Sequence, residues 1–340
     1  MKVFLIGGTG LLGSATAREL IQRGHEIRAI ALPPEMEDIP KEMKLEYKNY
    51  LTLTDDELRG YFTGCEGFVF ASGIDERITG PKPIHEYFNK YNVTPLERML
   101  RIAKECGVKT SVICGSYFSY FDKKWPKLEL SKWHPYIRSR RDQEKMALSF
   151  AGDNFNVAIM ELPYIFGTQN GREPVWTVIV KAVRGMKGST MYPKGGTTMV
   201  TRKQVAQAMA GALEKTKGGV CWPIGCYNLS WKAFLTIVHN NMGLTGRKII
   251  TIPNWVLNIG VKFMEKSIRG GESGGVETEG GICLSRFSDI QGAETYIDRS
   301  LACDILGVQD DDIEKAIGES IRLAVDVLDG KVKAIGMKGE

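Results

Sequence analysis

The chain has 340 residues, of which 43% are hydrophobic and 25% are charged. These values are ordinary for a folded globular protein, so they exclude a disordered or fibrous chain. Lys and Arg outnumber Asp and Glu by only 45 to 40, and the basic residues are spread along the chain. A protein that binds nucleic acid mainly through phosphates needs a clustered basic face, so that function class is also excluded.

Cysteine and histidine spacing indicates neither a disulfide framework nor a metal site. The seven cysteines include no CxxC pair, and the four histidines include no HxxxH pair. This spacing is typical of reduced thiols in the cytosol. The first residues enter an apolar strand without a signal-peptide pattern, and no apolar run reaches the ~18 residues of a membrane-spanning helix. We therefore expect a cytoplasmic protein with no metal cofactor and no stable membrane insertion.

The first half of the chain alternates short apolar runs with helical patterns. Strands are predicted at residues 2–6, 26–32, 44–51, 67–71, 110–114 and 157–162. Helices are predicted between them at residues 11–23, 54–63, 87–106 and 135–151. Pro95 must kink or break the third of these helices. Strands that alternate with crossover helices predict an α/β fold with a doubly wound parallel sheet.

The alternation loosens after about residue 165, where glycine-rich stretches appear. Further helices are predicted at residues 174–185, 202–215, 230–242, 253–268 and 311–328. This pattern predicts a smaller, mixed α/β unit. We expect a first domain over residues 1–167 and a second unit over residues 168–340, packed closely together, with some of the second unit's chain returning to the sheet.

A glycine-rich loop joins the first predicted strand to the first predicted helix. Its sequence is Gly7-Gly8-Thr9-Gly10-Leu11-Leu12-Gly13. Glycines in this position let the backbone approach a pyrophosphate, and the helix start supplies free N–H groups for the anion. The loop predicts a dinucleotide-binding Rossmann domain with contacts from Gly7, Thr9, Gly10, Leu11, Leu12 and Gly13. An ordinary tight turn is the alternative.

The second strand ends where an acid would favour NAD and an arginine would favour NADP. The chain has Leu32 at this position, followed by two prolines. We expect Leu32 to contact the cofactor, and the choice between NAD and NADP stays open.

Tyr136 and Arg140 are four residues apart near the start of a predicted helix, so their side chains share a face. A cation beside a phenol, whose usual pKa is about 10, favours the phenolate and suits general acid/base catalysis. Ser116 follows the fifth strand, at the edge where a doubly wound sheet presents its ligands. Its hydroxyl can donate to a substrate carbonyl, and Ser119 is the competing candidate. A solvated tyrosine–arginine pair is the alternative for the helix.

These motifs together resemble the extended branch of the short-chain dehydrogenase/reductase superfamily, also called the NAD-dependent epimerase/dehydratase family. The resemblance covers nearly the whole chain and is strongest over residues 1–170. The family motif is Tyr-x-x-x-Lys, and Arg140 here replaces the lysine that tunes the tyrosine and binds the nicotinamide ribose. The resemblance implies Ser116, Tyr136 and Arg140 as catalytic residues, with Tyr136 and Arg140 also contacting an NAD or NADP cofactor.

The resemblance also implies further cofactor contacts and an assembly. The contacts match family segments after the fourth and sixth strands, and they are Ala71, Ser72, Gly73, Pro163 and Ile165. Asn92 resembles a family asparagine that supports the active site, whereas Glu161 departs from the family's arginine. A homodimer through the helices near residues 87–106 and 136–151 is implied.

Aromatic residues crowd the stretch between Ser116 and Tyr136, which we interpret as a loop over the site. Predicted substrate contacts are Tyr117, Phe118 and Trp133 from this stretch, and Trp176 and Tyr192 from the second unit. Aromatic walls favour an apolar or ring-shaped small-molecule substrate. Anchoring of the loop is the alternative role for these side chains.

The expected function is an NAD(P)-dependent oxidoreductase that interconverts a carbonyl and a secondary alcohol, with Tyr136 as general acid/base. A nucleotide-sugar epimerase that uses the same site is one alternative. A non-catalytic dinucleotide-binding sensor or scaffold is another. A membrane-surface role for the amphipathic residues 255–264 is a third, less favoured because flanking basic clusters are few.

Overall fold

The computed structural model describes residues 1–152, 154–258 and 278–336. The predicted helix at 253–268 and the amphipathic segment 255–264 therefore lie partly outside the described residues. No described helix combines the length and the apolar composition that crossing a membrane requires.

Strands and helices follow each other along the chain in the expected alternation. The strands are β1 (Lys2–Ile6), β2 (Glu26–Ala31), β3 (Lys44–Tyr47), β4 (Gly67–Phe70), β5 (Thr79–Pro81), β6 (Thr110–Cys114), β7 (Asn156–Glu161), β8 (Tyr164–Phe166), β9 (Thr190–Pro193), β10 (Gly196–Thr201), β11 (Gly219–Pro223), β12 (Tyr227–Ser230), β13 (Ile249–Ile252), β14 (Thr278–Gly280) and β15 (Glu294–Thr295). The helices are α1 (Leu11–Gln22), α2 (Asp55–Phe62), α3 (Ile84–Asn92), α4 (Thr94–Glu105), α5 (Tyr117–Lys124), α6 (Leu130–Trp133), α7 (Pro135–Leu148), α8 (Thr177–Gly185), α9 (Arg202–Lys215), α10 (Trp231–Asn241), α11 (Ser288–Gln291), α12 (Cys303–Leu306) and α13 (Ile313–Leu328).

The central sheet has seven parallel strands in the order β11-β7-β6-β4-β1-β2-β3. The chain moves outward from β1 to β2 and β3 on one side, and then crosses back to β4 on the other. This reversal creates a crevice at the carboxyl ends of β1 and β4, where sheets of this kind bind ligands. The predicted doubly wound Rossmann sheet is confirmed.

Both faces of the sheet are buried, which explains the nearly continuous apolar runs of its strands. Successive side chains of a strand point to opposite faces. Val3 and Leu5 belong to one buried cluster with side chains of α1 and α9. Phe4 and Ile6 belong to a second cluster with side chains of α2 and α4.

Two elements differ from the sequence prediction. The single helix expected at 87–106 is two helices, α3 and α4, because Pro95 occupies the first turn of α4, where its missing N–H is tolerated. The aromatic stretch before Tyr136 is not a loop: it contains α5 and α6. Its aromatic side chains are therefore spaced at helical intervals, and Tyr117, Phe118 and Phe121 are buried.

The second unit covers the carboxyl edge of the sheet. It contains the sheet β12-β10-β15, with β8 beside β10, and a core between this sheet and α8, α10 and α13. Residues 202–223 leave this unit, since α9 packs on α1 and β11 pairs with β7. Strand β14 pairs with β5 and brings the second unit against the loop after β4.

Gly13, in the first turn of α1, packs against the backbone of Gly7 so closely that only glycine fits there. A Cβ on Gly13 would lie 2.0 Å from the carbonyl oxygen of Gly7, and no side-chain rotation relieves a clash with backbone. We expect Gly13→Ala to lower the free energy of unfolding by about 3 kcal/mol. Urea denaturation measures this loss.

Gly60→Ala is the matched control, because a Cβ there meets no atom within 4 Å and Gly60 lies in helix α2. This variant should be about 0.5 kcal/mol more stable than wild type. Equal effects of the two substitutions would contradict the packing argument.

Candidate active site

The glycine-rich loop lies at the crevice between β1 and β4. Gly7 has φ +91°, and a Cβ there would lie 2.4 Å from the carbonyl oxygen of Ala71. The N–H of Gly10 donates to the Gly7 oxygen at 3.0 Å, which closes the turn before α1 begins. Glycine at these positions lets the loop fold tightly on itself and against Ala71, beside the N-terminus of α1, where anions bind. The loop therefore fits a dinucleotide.

Arg172 lies on this loop and was not found from the sequence. Its Nη2 donates to the Thr9 carbonyl at 3.1 Å, and its Nε donates to Gln169 at 3.2 Å. No carboxylate of the described chain is within ion-pair distance of Arg172, and burial lowers its pKa. A partly buried cation without a counterion is costly, so this position favours an anionic ligand. No sequence motif signals it, because the contact spans some 160 residues.

The neighbouring Arg202 is already engaged. Its guanidinium donates to the Leu11 carbonyl at 3.0 Å and to the Ser14 hydroxyl at 3.1 Å. It also lies 3.6 Å from Asp38, which pairs with Arg18 as well. Arg202 therefore braces the start of α1 and has less freedom than Arg172 to bind an anion.

The loop after β2 brings an acid back toward the glycine loop. Leu32 at the end of β2 is 45% exposed. Asp38 follows six residues later, and its backbone oxygen accepts from Gln169 at 3.4 Å, the same amide that donates to the Thr9 carbonyl. The sequence analysis did not predict this position for Asp38, because an acid was expected directly after β2 and Asp38 follows a loop.

Residues 71–78, the β4 loop, form one wall of the crevice. Ala71 touches the glycine loop at Gly7, as described above. The Ser72 hydroxyl donates to Tyr50 at 3.2 Å, and burial raises the pKa of Tyr50, so this phenol serves as a neutral acceptor. Gly73 has φ +134°, and a Cβ there would lie 2.6 Å from the side-chain oxygen of Asn92. The predicted residues Ala71, Ser72 and Gly73 thus share one tightly packed segment.

Tyr136 and Arg140 form a buried pair on α7. The guanidinium Nε donates to the phenol oxygen at 3.1 Å. Tyr136 is only 4% exposed and Arg140 only 7%. The alternative of a solvated surface pair is therefore wrong.

A polar network fixes the guanidinium of Arg140. Nη1 donates to the Cys114 carbonyl at 3.3 Å and to Gln143 at 2.9 Å, and Nη2 donates to the Ile74 carbonyl at 3.2 Å. Gln143 in turn donates to the Asn92 carbonyl at 2.7 Å. The Asn92 amide exchanges two hydrogen bonds with the backbone of Ile74, at 2.9 and 3.1 Å. Asn92 thus connects α3 to the β4 loop and, through Gln143, to Arg140.

The network explains why an arginine fits at position 140. A guanidinium has five N–H donors in a planar fork, whereas lysine carries a compact ammonium with three. The contacts above use four of the five, and they reach the end of β6, the β4 loop and α7 at once. One N–H of Nη2 has no partner among the described residues.

Burial controls the protonation of Tyr136. Its ring packs against Phe88 and Phe118, with centroids 5.6 and 6.5 Å away. Burial raises the pKa of Tyr136, and the charge of Arg140 only partly offsets this, so the pKa lies above its usual value. The phenol is therefore protonated at neutral pH and can donate a proton.

Ser116 caps helix α5 at the end of β6. Its hydroxyl oxygen accepts from the Phe118 N–H at 3.3 Å, and the side chain is buried. This leaves the hydroxyl proton for another acceptor. Ser119, the competing candidate, lies inside the first turn of α5 and is buried as well.

An aromatic cavity of about 200 Å³ lies between the β4 loop and the second unit. Three of the predicted substrate residues line it, namely Phe118, Trp176 and Tyr192. The other predicted residues do not. Tyr117 is turned into the core, where its hydroxyl bonds Thr197 at 3.0 Å. Trp133 is 42% exposed and stacks with Arg286.

The segment that follows residue 277 packs against the start of α7. The sequence analysis did not predict this contact. The Gly281 carbonyl accepts from the Tyr136 N–H at 3.0 Å, and the Cys283 N–H donates to His134 at 3.1 Å. Burial and the charge of Arg286 lower the pKa of His134 to about 4, so the ring is a neutral acceptor. These contacts span about 145 residues, and no local pattern announces them.

Glu161, which replaces a family arginine, belongs to a buried charge cluster. Lys123 lies 2.9 Å from Glu161 and 2.6 Å from Glu144, and Arg141 also pairs with Glu144 at 2.8 Å. Glu144, Glu161 and Cys221 are donors that metals use, but here the Lys123 ammonium supplies the cation between the carboxylates. Burial raises the pKa of Glu161 to about 7.

The model of the NAD dependent epimerase/dehydratase family matches residues 3–220. The chain belongs to this family. The predicted enzyme class, an NAD(P)-dependent oxidoreductase or epimerase of the extended short-chain type, is confirmed, and so is the nicotinamide dinucleotide cofactor.

Two curated relatives are named as reductases. A putative dihydroflavonol 4-reductase from Synechocystis sp. is 21% identical over 337 residues, covering 94% of this chain and 93% of the relative. A 4-hydroxy-2-methyl-3-oxo-4-farnesyl-3,4-dihydroquinoline-1-oxide ketoreductase from Stigmatella aurantiaca is 23% identical, covering 72% of this chain and 74% of the relative.

Solved structures share the fold over nearly the whole chain. The crystal structure of gox2253 has a TM-score of 0.74 at 21% identity, covering 97% of this chain and 99% of its own. A UDP-glucose-4-epimerase from Stenotrophomonas maltophila, solved with NAD and formylated UDP-arabinopyranose, has a TM-score of 0.66 at 12% identity and covers 97% and 99%.

The buried cluster predicts a pH-dependent stability. The pKa of Glu161 is about 7 in the folded chain and near 4.5 when unfolded, so the folded state holds a proton that the unfolded state loses. The stability of wild type relative to Glu161→Gln should therefore fall between about pH 5 and 7, by up to ~1.4 kcal/mol per pH unit. Urea denaturation across this range measures the difference.

Glu42→Gln, at an exposed glutamate, is the control. The difference in stability between wild type and this variant should not change over the same pH range. A wild-type stability that parallels that of Glu161→Gln at every pH would show that the carboxyl has the same pKa in the folded and unfolded states, against the argument from burial.

Proposed function

We propose that this protein is a carbonyl reductase that uses a nicotinamide dinucleotide to reduce an apolar, ring-shaped ketone, with Tyr136 as the proton donor. The observation that carries this proposal is the buried, protonated phenol of Tyr136, which packs on Phe118 at the edge of the aromatic cavity. Both curated relatives are named as reductases, one of them as a ketoreductase, which supports the same direction of reaction.

The glycine loop and the β4 loop would hold the dinucleotide. Gly7, Gly10 and Gly13 allow the tight turn that brings the backbone to the diphosphate. The start of α1 would offer its N–H groups, with Thr9, Leu11 and Leu12. Leu32, Pro163, Ile165 and the β4-loop residues Ala71, Ser72 and Gly73 are retained as proposed contacts. When bound, the cofactor supplies the hydride.

The protein's own residues would deliver the proton. The Tyr136 hydroxyl donates to the substrate oxygen while Arg140 holds the phenol in place and stabilises the charge that develops on it. Ser116 offers its hydroxyl as a second donor to the same oxygen. The remaining N–H of Arg140 is the proposed contact to the cofactor ribose.

A nucleotide-sugar epimerase is the second candidate, because solved neighbours of this fold bind such substrates. The described lining of the aromatic cavity disfavours it. This lining contains aromatic and aliphatic side chains, one glutamine and one glutamate, but no Lys or Arg to neutralise a diphosphate.

We also propose that the protein forms a homodimer through α3, α4 and α7. Light scattering, which measures the mass of the particle in solution, tests this proposal.

The protonated phenol predicts opposite pH profiles for the two reaction directions. Reduction of a cyclic aryl ketone should be independent of pH between 6 and 9, since the pKa of Tyr136 lies above 10. Oxidation of the matching alcohol needs the phenolate and should rise about tenfold per pH unit. Tyr136→Phe should lose about 10²–10⁴-fold in both directions and keep its dinucleotide affinity.

Absorbance of the reduced nicotinamide measures both rates. UDP-sugars serve as the competing substrates, and because epimerisation returns the hydride and consumes no cofactor, their turnover is measured by chromatography of the epimers. Turnover of UDP-sugars alone would favour the epimerase. Dinucleotide binding without turnover of any ketone, alcohol or sugar would favour the sensor or scaffold.

Arg172 predicts a diphosphate-specific loss of affinity. Arg172→Gln should weaken binding of NAD and ADP-ribose about tenfold, because a charged hydrogen bond contributes roughly that much. Adenosine, which lacks the diphosphate, should bind as before. Isothermal titration calorimetry measures all three ligands.

The matched control is Arg184→Gln, at an exposed arginine of α8 that pairs with Asp329. It removes the same charge and should leave the three affinities unchanged. Equal losses for adenosine and ADP-ribose in Arg172→Gln would assign Arg172 a purely structural role.

A further inference from the structure

A single carboxylate stands among the described side chains that line the aromatic cavity. It belongs to Glu76 of the β4 loop. The rest of the described lining is Phe118, Tyr164, Trp176, Val178, Ile179, Tyr192, Trp231, Phe234, Ile282, Phe287, Ile290 and Gln291. Such a surface buries a flat apolar ligand and offers it few polar contacts.

Most other polar groups of the cavity wall are already paired. The Trp176 indole N–H donates to the Ile165 carbonyl at 3.0 Å, and the Trp231 indole N–H donates to the Gln291 carbonyl at 2.7 Å. The Gln291 amide donates to the Tyr192 hydroxyl at 2.7 Å. Both indoles have thus used their only donors, so they offer a ligand their apolar surfaces.

Glu76 differs from its neighbour Asp75. The Asp75 carboxylate accepts from Arg77 at 3.0 Å, whereas no Lys, Arg or His of the described chain lies within ion-pair distance of Glu76. Burial, followed by the charge of Asp75, raises the pKa of Glu76. The Glu76 carboxyl accepts a hydrogen bond from its own backbone N–H, but a carboxyl group has two oxygens and several acceptor sites. A ligand that supplies a further hydrogen-bond partner offsets the cost of holding this group among aromatic side chains.

The position of Glu76 connects the cavity to the catalytic tyrosine. A Cβ on Gly281 would lie 2.7 Å from the Glu76 backbone oxygen, so the two segments are in direct contact. The Gly281 carbonyl in turn binds the N–H of Tyr136. Phe118 lines the cavity and packs on the Tyr136 ring. A ligand held by Glu76 would therefore be separated from the proton donor by the Phe118 side chain.

We infer that Glu76 is a specificity-determining residue that selects flat, apolar ketones bearing a hydroxyl group, by a hydrogen bond between that hydroxyl and the carboxyl group. This inference rests on the proposed function and names the substrate class of the same site. A hydroxyl can donate to a carboxylate or accept from a carboxylic acid, so it pairs with Glu76 in either protonation state. A diphosphate, by contrast, would bring negative charge to this wall.

Two bicyclic ketones that differ in one group test the inference. These probes are 6-hydroxy-1-tetralone and 6-methoxy-1-tetralone, titrated by calorimetry into protein saturated with NAD⁺, which permits binding without reduction. Wild type should bind the hydroxy ketone about tenfold more tightly. Glu76→Leu should bind both ketones equally, and Glu76→Gln, which keeps an acceptor oxygen, should retain part of the preference.

Asp75→Asn is the matched control, because it removes a carboxylate from the same loop but not from the cavity lining, and it should keep the wild-type preference. Unchanged NAD⁺ affinity and thermal unfolding temperature show that Glu76→Leu is folded. Equal affinities in wild type, no binding of the hydroxy ketone, or a preference that survives in Glu76→Leu would each overturn the inference.

The readout separates this inference from the proposed function. Binding at equilibrium does not need Tyr136 chemistry, so Tyr136→Phe should show the full hydroxyl preference. A preserved preference without reduction of either ketone would contradict the reductase and leave the role of Glu76 standing. Reduction of both ketones with equal kcat/KM would support the reductase and contradict the role of Glu76.

Discussion

The hydrogen bonds of the Arg140 guanidinium connect the parts of the site that the fold brings together. One group contacts the catalytic phenol, the carboxyl end of β6, the β4 loop and α7. Three of these contacts are buried and the one to Ile74 is partly buried. In such surroundings hydrogen bonds are strong and an unpaired group is costly. Loss of any one partner would leave a buried cation undersatisfied. The network therefore holds Tyr136 in one place, which general acid catalysis requires.

The β4 loop joins the three functional regions. Its first residue, Ala71, fits against Gly7 of the dinucleotide loop, and Ile74 binds Arg140 and Asn92. Glu76 faces the aromatic cavity, and the loop then continues into β5, which pairs with β14 of the second unit. A change in this loop would thus affect cofactor binding, the phenol and the cavity together.

Local patterns account for what the sequence predicted well. The glycine loop and the Tyr136–Arg140 pair depend on neighbours within a few residues, and the buried parallel strands depend on short apolar runs. The residues that were missed depend on distant partners. Arg172 reaches Thr9, and Gly281 reaches Tyr136. No local pattern marks Glu76, because most of the aromatic side chains around it come from the second unit.

Aromatic composition was a weaker guide than position in the fold. Tyr117 and Trp133 were expected at the substrate, but helices α5 and α6 turn one into the core and the other toward Arg286. Phe118, adjacent to Tyr117, faces the cavity. Helical spacing separates neighbouring side chains by about 100°, so a loop interpretation could not distinguish them.

The protonation state of Tyr136 is the central claim, and NMR titration tests it most directly. In protein labelled with ¹³C at the tyrosine ring carbon that bears the hydroxyl, comparison with Tyr136→Phe assigns the signal of this phenol. The structure predicts that the signal keeps its protonated chemical shift up to pH 9, because burial outweighs the charge of Arg140 and raises the pKa of Tyr136 above its usual value. A titration between pH 7 and 8 would contradict the account and make Tyr136 a base at neutral pH.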